Sequence, residues 1–144
     1  MGGEHDLIEK YRFIAKEKGI EENIRFVGMQ SDVRAYFWAA DAFAFPSVYE
    51  TFSLVAFEAA AASLPLIAPL LNGIEEIIQD GQNGIVVRCT LEEIAAGLQR
   101  FLDLPAKHRE NMGAQAQLAA GTYGEARFIG NWQGLYREWV DQLG

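Results

Sequence analysis

Two glutamates, Glu50 and Glu58, combine a reactive residue type with a spacing that could support chemistry. Seven residues separate them, and they flank an expected junction between a strand and a helix. A carboxylate accepts hydrogen bonds from ligand hydroxyl groups and stabilises positive charge that develops nearby. Two carboxylates can also act as a general acid and a general base. The elements that hold the two residues decide between these chemistries.

A short apolar run over residues 42–45 precedes Glu50 and ends at Pro46. Such runs are typical of buried strands in a parallel sheet, and proline ends them. Glu50 would then lie outside the carboxyl end of a strand, where open α/β sheets bind ligands. The alanine-rich segment after Thr51 predicts a largely buried helix whose first N–H groups face the same crevice. Glu58 would be a buried carboxylate, which is costly unless it is hydrogen-bonded.

Strands and helices alternate through the rest of the chain, and this order predicts a parallel sheet in an α/β domain. Thr90 and Glu93 have the spacing of a capping box at the start of one helix. The predicted strands cover residues 24–28, 66–69 and 84–87, and the predicted helices cover about residues 6–18, the segment after Ser31, residues 73–79, and segments that begin near Thr90, Pro105 and Glu125.

Composition limits the classes of function. With 144 residues, half of them hydrophobic, the chain can form one domain with a sizeable core. A net charge of −8 and no run of Lys or Arg argue against a nucleic-acid partner and against polybasic membrane contact. The single cysteine, Cys89, and the lack of a signal-peptide pattern favour a cytoplasmic location. His5 and His108 are too far apart in sequence to suggest a metal site.

The residues around the two glutamates resemble a known family. From Pro46 onward they read Pro-Ser-x-x-Glu-x-Phe-x-Leu-x-x-x-Glu-Ala. This pattern is similar to the donor-site signature of retaining GT-B glycosyltransferases of the group 1 and glycogen-synthase-like type, whose Glu-x7-Glu pair contacts the nucleotide sugar. Blocks at residues 24–28, 39–42, 64–68, 72–78 and 80–84 follow the family's order, so the resemblance covers roughly residues 1–140.

The resemblance implies a Rossmann-like three-layer α/β domain with a parallel sheet, the C-terminal half of a GT-B fold that lacks its first strand or strands. Residues 1–144 would form this single donor-binding domain, a fragment of a two-domain enzyme without its N-terminal acceptor domain. The full-length hexosyltransferase would move a sugar from a nucleoside diphosphate sugar to a glycan or lipid-linked acceptor with retention. It would need no metal or other cofactor, and the fragment alone would be inactive. Any peripheral membrane contact would come only through the missing half.

The resemblance also implies a role for each site residue. Glu50 would be catalytic, contacting sugar hydroxyls near the anomeric carbon and favouring the positive charge that develops there. Glu58 would bind the ribose diol, so the pair would not be the acid and nucleophile of a hydrolase. The other donor-binding residues would be Phe52, Ser53 and Leu54 through backbone N–H groups, Met29 and Gln30 beside the base, and Gly3 in a glycine turn.

Other interpretations stay open at this point. Glu58 could cap a helix or form an ion pair within the fold, Glu50 could be a solvated loop residue, and Met29 and Gln30 could be ordinary loop residues. The whole chain could be a non-catalytic α/β nucleotide-binding or interaction domain, and an epimerase or phosphorylase on the same scaffold is the third alternative. The aromatic stripe of the last helix lacks the basic face of a membrane-surface helix, so packing within the protein is favoured.

Overall fold

The computed structural model describes residues 3–143, with side chains over residues 6–142. The chain divides into two compact units, residues 1–33 and residues 34–144. The single donor-binding domain expected over residues 1–144 stays a prediction.

The first unit contains helix α1, Gly3–Glu17, followed by a short 3-10 turn, Glu21–Asn23. Gly19 ends the helical segment with a φ of +63°, a left-handed conformation that glycine adopts without strain. Two backbone bonds close this end, since the Gly19 N–H donates to Lys16 O at 2.9 Å and the Ile20 N–H donates to Ala15 O at 3.0 Å. The predicted first helix and its glycine stop are therefore confirmed.

The prediction of a strand over residues 24–28 is wrong. Residues 24–30 have no regular secondary structure, and none of residues 3–33 pairs in a strand ladder. Ile24 and Val27 are 41% and 40% exposed. An apolar, β-branched segment becomes a strand only when a neighbouring strand supplies hydrogen bonds and a packed face. Neither is present beside this segment within its own unit.

The second unit is an α/β structure built on a three-stranded parallel sheet with strand order β1-β2-β3. Leu66 in the middle strand pairs with Phe43 on one side and with Gly84 on the other. The predicted fold class is confirmed. The elements are α2 (Arg34–Ala39), β1 (Phe43–Ala44), α3 (Leu54–Ala61), β2 (Leu66–Ala68), α4 (Ile74–Ile77), β3 (Gly84–Val86), α5 (Leu91–Leu102), α6 (Ala106–Gly121) and α7 (Glu125–Leu143).

The core lies on both faces of the sheet. Strand β2 is fully buried, and its side chains alternate between the faces. Leu66 and Ala68 belong to a cluster with buried residues of α3, α4 and α6, whereas Ile67 belongs to a second cluster with Ile85, Val87, Phe101 and Met112. Helices therefore cover both faces, which is the three-layer arrangement expected from the sequence. This packing fixes the strand ends from which the candidate site is built.

The capping box predicted at α5 is only half formed. Thr90 is the N-cap residue, and its hydroxyl oxygen accepts the Glu93 N–H at 3.3 Å. The Glu93 carboxylate does not return to the Thr90 N–H, because it pairs with the Arg88 guanidinium. The Thr90 N–H donates to Arg88 O at 2.8 Å instead. Glu93 thus pairs with Arg88 instead of accepting the Thr90 N–H, which would complete the capping box.

Candidate functional site

The candidate site is formed by two loops at the carboxyl edge of the parallel sheet. The loop after β1 runs from Phe45 to Ser53 and leads into α3, and the loop after β2 runs from Pro69 to Gly73 and leads into α4. Parallel strands place both loops at the same edge, where α/β sheets bind ligands. The two loops and the start of α4 form a cavity of about 210 Å³ that is open to solvent. Its lining residues, most of them exposed, are Val48, Tyr49, Glu50, Leu70, Leu71, Asn72 and Glu75.

Glu50 is half-buried in the wall of this cavity. The hydroxyl group of Ser47 lies 3.1 Å from Glu50 Oε1 and 3.0 Å from Tyr49 O, so its single proton serves one acceptor at a time. Glu50 Oε2 has no hydrogen-bond partner within the described part of the chain. The loop therefore orients one carboxylate oxygen and leaves the other able to accept a bond from a ligand.

Asn72 connects the two loops. Its side-chain amide donates to Glu50 O at 3.3 Å, and its backbone carbonyl accepts the Ser53 N–H at 3.2 Å. Gly73 follows with a φ of +90°, and a Cβ there would lie 3.0 Å from the Phe52 ring. The Asn-Gly pair thus packs tightly against the start of α3. Asn72 had no predicted role, although an Asn-Gly pair shortly after a buried strand is a recognisable turn signal in the sequence.

The first N–H groups of α3 are less open than expected. Ser53 has φ −87° and ψ 66°, close to an inverse γ-turn, and the Leu54 N–H donates to Phe52 O at 3.0 Å. The Ser53 N–H is bound to Asn72 O. Neither N–H is therefore free, because the Ser53 N–H is bonded to the loop after β2 and the Leu54 N–H is bonded within the tight turn; the contact of these two residues with a donor stays a prediction. Ser53 Oγ is buried and has no partner among the described residues.

The expectation that Glu58 is buried is wrong. Helix α3 buries Ala56, Ala59 and Ala60, and Glu58 lies on its exposed face. Leu54 precedes Glu58 by one helical turn on that face and is 67% exposed. No ion pair or side-chain hydrogen bond of Glu58 occurs within the described residues. Among the described residues, Glu58 therefore neither caps a helix nor forms an ion pair, the two alternatives to a ligand contact.

Three of the other predicted donor-binding residues, Met29, Gln30 and Gly3, lie in the first unit. Met29 is 83% exposed, and the Gln30 side-chain amide donates to Val27 O at 2.6 Å. Gly3 is the first residue of α1, so the glycine turn expected there is replaced by a helix start. Gly2, the other half of that expected turn, lies outside the described residues. Phe52 belongs to the second unit, is 47% exposed and stacks on Phe57 with ring centroids 5.1 Å apart.

The cavity beside Glu50 is acidic. Its lining contains two carboxylates, Glu50 and Glu75, and no Lys, Arg or His. None of the ion pairs found among the described side chains involves either glutamate. Within residues 3–143, no group of three or more His, Cys, Asp or Glu side chains could hold a metal ion. The same residues form no helix that is long and apolar enough to cross a membrane.

Comparisons with known proteins show which sequences and structures this chain resembles. A family model described as glycosyl transferases group 1 matches residues 1–119. A D-inositol 3-phosphate glycosyltransferase of Corynebacterium glutamicum is 34% identical over 133 residues, which cover 90% of this chain and 32% of that protein. The chain thus spans about a third of the length of the curated relatives it matches.

Solved structures share the fold. Sucrose-phosphate synthase from Thermosynechococcus elongatus superposes with a TM-score of 0.76 and 27% identity, covering 94% of this chain and 35% of that one. The Anabaena protein HepE, solved in complex with UDP and glucose, superposes with a TM-score of 0.79 and 21% identity, covering 96% of this chain and 38% of HepE. In both pairs, nearly all of this chain corresponds to part of a longer protein.

Proposed function

The chain belongs to the group 1 glycosyltransferases and has the fold of a GT-B C-terminal domain, and from this premise we propose that it forms the donor-binding half of a retaining glycosyltransferase. The observation that carries the proposal is the cavity beside Glu50 at the carboxyl edge of the sheet, next to the start of α3. The whole enzyme would transfer a hexose from a nucleoside diphosphate sugar to a glycan or lipid-linked acceptor. A separate N-terminal half would bind the acceptor, and this chain alone would be inactive.

In this proposal the sugar of the donor occupies the cavity, where Glu50 accepts hydrogen bonds from its hydroxyl groups. When the bond between the anomeric carbon and the diphosphate breaks, the bonding electrons leave with the diphosphate and positive charge develops on the sugar. A half-buried carboxylate with no cation beside it in the cavity lining stabilises that charge. Glu50 is therefore assigned an electrostatic role, with Ser47 and Asn72 holding it in place.

Glu58 is assigned to the ribose of the same donor. Two vicinal hydroxyls can both donate to one carboxylate, and Glu58 lies exposed on α3, free of ion pairs within the described residues. In this proposal Glu50 and Glu58 contact the sugar and the ribose of one extended donor. That HepE was solved with UDP and glucose supports a donor of this type. Phe52, Ser53, Leu54, Met29, Gln30 and Gly3 stay proposed donor contacts.

The proposal is tested by calorimetric titration of the chain with UDP, GDP and ADP. One nucleoside diphosphate should bind, and Glu58→Gln should weaken its binding by about 10- to 100-fold, because hydrogen bonds to a charged group contribute roughly 1.5–3 kcal/mol. Glu92→Gln is the matched control, since Glu92 is an exposed glutamate in the first turn of another helix, α5. Equal affinity in the wild type and Glu58→Gln would contradict the assignment.

A further inference from the structure

Glu75 is a second carboxylate in the cavity, and neither the sequence pattern nor the proposed function gives it a role. It lies in α4, and its N–H donates to Leu71 O at 3.3 Å, which fixes its backbone to the loop after β2. Glu50 comes from the loop after β1. The loop after β1 and the first turn of α4 thus each contribute one glutamate to the same cavity, and Asn72 links the loop after β1 to the loop that leads into α4.

The lining indicates what kind of group fits between these glutamates. A volume of about 210 Å³ equals roughly seven water molecules, which is room for one sugar ring rather than a whole nucleotide. Ionised carboxylates only accept hydrogen bonds, so they suit a group rich in hydroxyl donors. The Asn72 side-chain amide is already directed to Glu50 O. The cavity is therefore chemically complementary to an uncharged polyol.

The same lining opposes a negatively charged sugar. Neither Glu50 nor Glu75 has an ion-pair partner among the described side chains, and the cavity lining contains no cation to neutralise a third carboxylate. Glu75 is exposed and Glu50 is half-buried, so solvent screens part of the repulsion, but placing a third like charge between them is still unfavourable, and such repulsion is a common way to exclude a competing ligand. A uronic acid, which carries a carboxylate in place of the sugar's primary alcohol, would meet this repulsion.

We propose that Glu75 is a specificity-determining residue of the donor site, which with Glu50 restricts the transferred sugar to one without a negative charge. This inference rests on the proposed function, because it takes the cavity beside Glu50 as the sugar subsite. Neutral hexoses and N-acetylated hexosamines are accepted, and uronic acids are rejected. Glu75 acts on the choice of sugar and not on binding of the nucleotide.

The test compares two donors that share a base and differ only in charge, such as UDP-glucose and UDP-glucuronate, with UDP alone as reference. Calorimetry on the chain should show a preference for the neutral donor of about three- to tenfold, because the like charges repel but are partly screened at this solvent-exposed site. Glu75→Gln should reduce that preference several-fold by improving uronate binding, and Glu75→Lys should remove or invert it. Affinity for UDP alone should stay unchanged in both variants. If another nucleoside diphosphate binds instead, the pair is built on that base.

The outcomes separate this inference from the proposed function. If UDP binds but the two donors bind equally, or if the preference survives in both Glu75 variants, the inference is overturned and the proposed function stands. If none of the nucleoside diphosphates binds, both are overturned. Glu92→Gln should leave the preference unchanged, and an unaltered unfolding midpoint shows that the Glu75 variants fold. A Glu75→Lys variant that loses UDP binding as well as sugar discrimination contradicts a role limited to the sugar.

Discussion

The loop before α3 and the turn before β3 each bury a polar side chain, and they satisfy it in opposite ways. Asn83 in the turn is 5% exposed, and Ser53 in the loop is 1% exposed. Asn83 Oδ1 accepts the Gln79 N–H at 2.7 Å, and its Nδ2 donates to Ile77 O at 2.8 Å. Ser53 Oγ has no partner among the described residues. The turn therefore satisfies the hydrogen bonds of its buried polar side chain, whereas the loop does not within the described residues.

The surroundings of the two side chains extend the contrast. In the turn, Asp80 accepts the Val86 N–H at 2.9 Å and binds both terminal nitrogens of Arg100 at 2.9 and 3.1 Å. Glu50 in the loop lines a cavity that it shares with Glu75 of α4 and that has no cation in its lining. Buried polar groups that are fully paired stabilise a fold, and departures from that rule concentrate at functional sites. The turn therefore maintains the sheet, whereas the loop has hydrogen-bonding groups without a partner among the described residues, which the proposed function assigns to a ligand.

The largest expected effect is on the turn. Asn83→Ala should lower the free energy of unfolding by about 2–4 kcal/mol, because it removes two hydrogen bonds and leaves the Gln79 N–H and Ile77 O without their partners. Urea denaturation measures this loss. Gln82→Ala, at an exposed position of the same turn, should change stability by less than about 0.5 kcal/mol. If Asn83→Ala and Gln82→Ala both lowered the free energy of unfolding by a similarly small amount, the hydrogen bonds of Asn83 would not stabilise the turn, and the turn would not differ from the loop in this respect.

A smaller effect should appear as a pH dependence. Hydrogen bonds from the Arg100 guanidinium hold the pKa of Asp80 below its ordinary value. A depressed folded-state pKa contributes stability that is present above the unfolded pKa of about 3.9 and is lost as the pH falls through the folded value. Asp80→Asn should therefore be less stable than wild type near pH 7, by under about 1 kcal/mol because the pair is half-exposed. The difference should shrink as the pH falls below 4.

The measurement is a pair of denaturation series at pH 7 and at pH 3. Subtracting the variant from the wild type cancels the contributions of the other acidic residues. A deficit of Asp80→Asn that stays constant between the two pH values would show that the Arg100 pair adds nothing beyond its neutral hydrogen bonds. The turn would then owe its stability to hydrogen bonds of Asp80 and Asn83 and not to the charge of Asp80.

Much of the fold followed from local patterns in the sequence. The apolar runs at β1, β2 and β3 are short and end at proline, glycine or polar residues, and the structure pairs all three in parallel. The segment at residues 24–28 has the same local pattern and is not a strand. What separates it from β2 is a hydrogen-bonded neighbour, which is a non-local property that periodicity does not report.

The candidate site was predictable only in part. The position of Glu50 outside the carboxyl end of β1 followed from the strand and its proline. The exposure of Glu58 could not be predicted, because an alanine-rich helix gives little sign of which side faces the core. In the structure, α3 buries Ala56, Ala59 and Ala60 and leaves Glu58 on the exposed side. The contribution of Glu75 required two loops to meet, and the half-formed capping box at Thr90 depended on a neighbouring arginine. These features arise from contacts between segments.

The smallest expected effect bears most directly on the comparison, because it asks whether Ser53 is truly unsatisfied. Ser53 and Thr90 are both N-cap residues, but only the Thr90 side chain accepts a bond from its helix. Thr90→Ala should therefore cost about 1 kcal/mol of unfolding free energy. Ser53→Ala should cost nothing, or stabilise slightly, since it removes a buried hydroxyl that has no partner within the described residues. If Ser53→Ala instead costs as much as Thr90→Ala in urea denaturation, the hydroxyl is bonded in solution, and the loop is as internally complete as the turn.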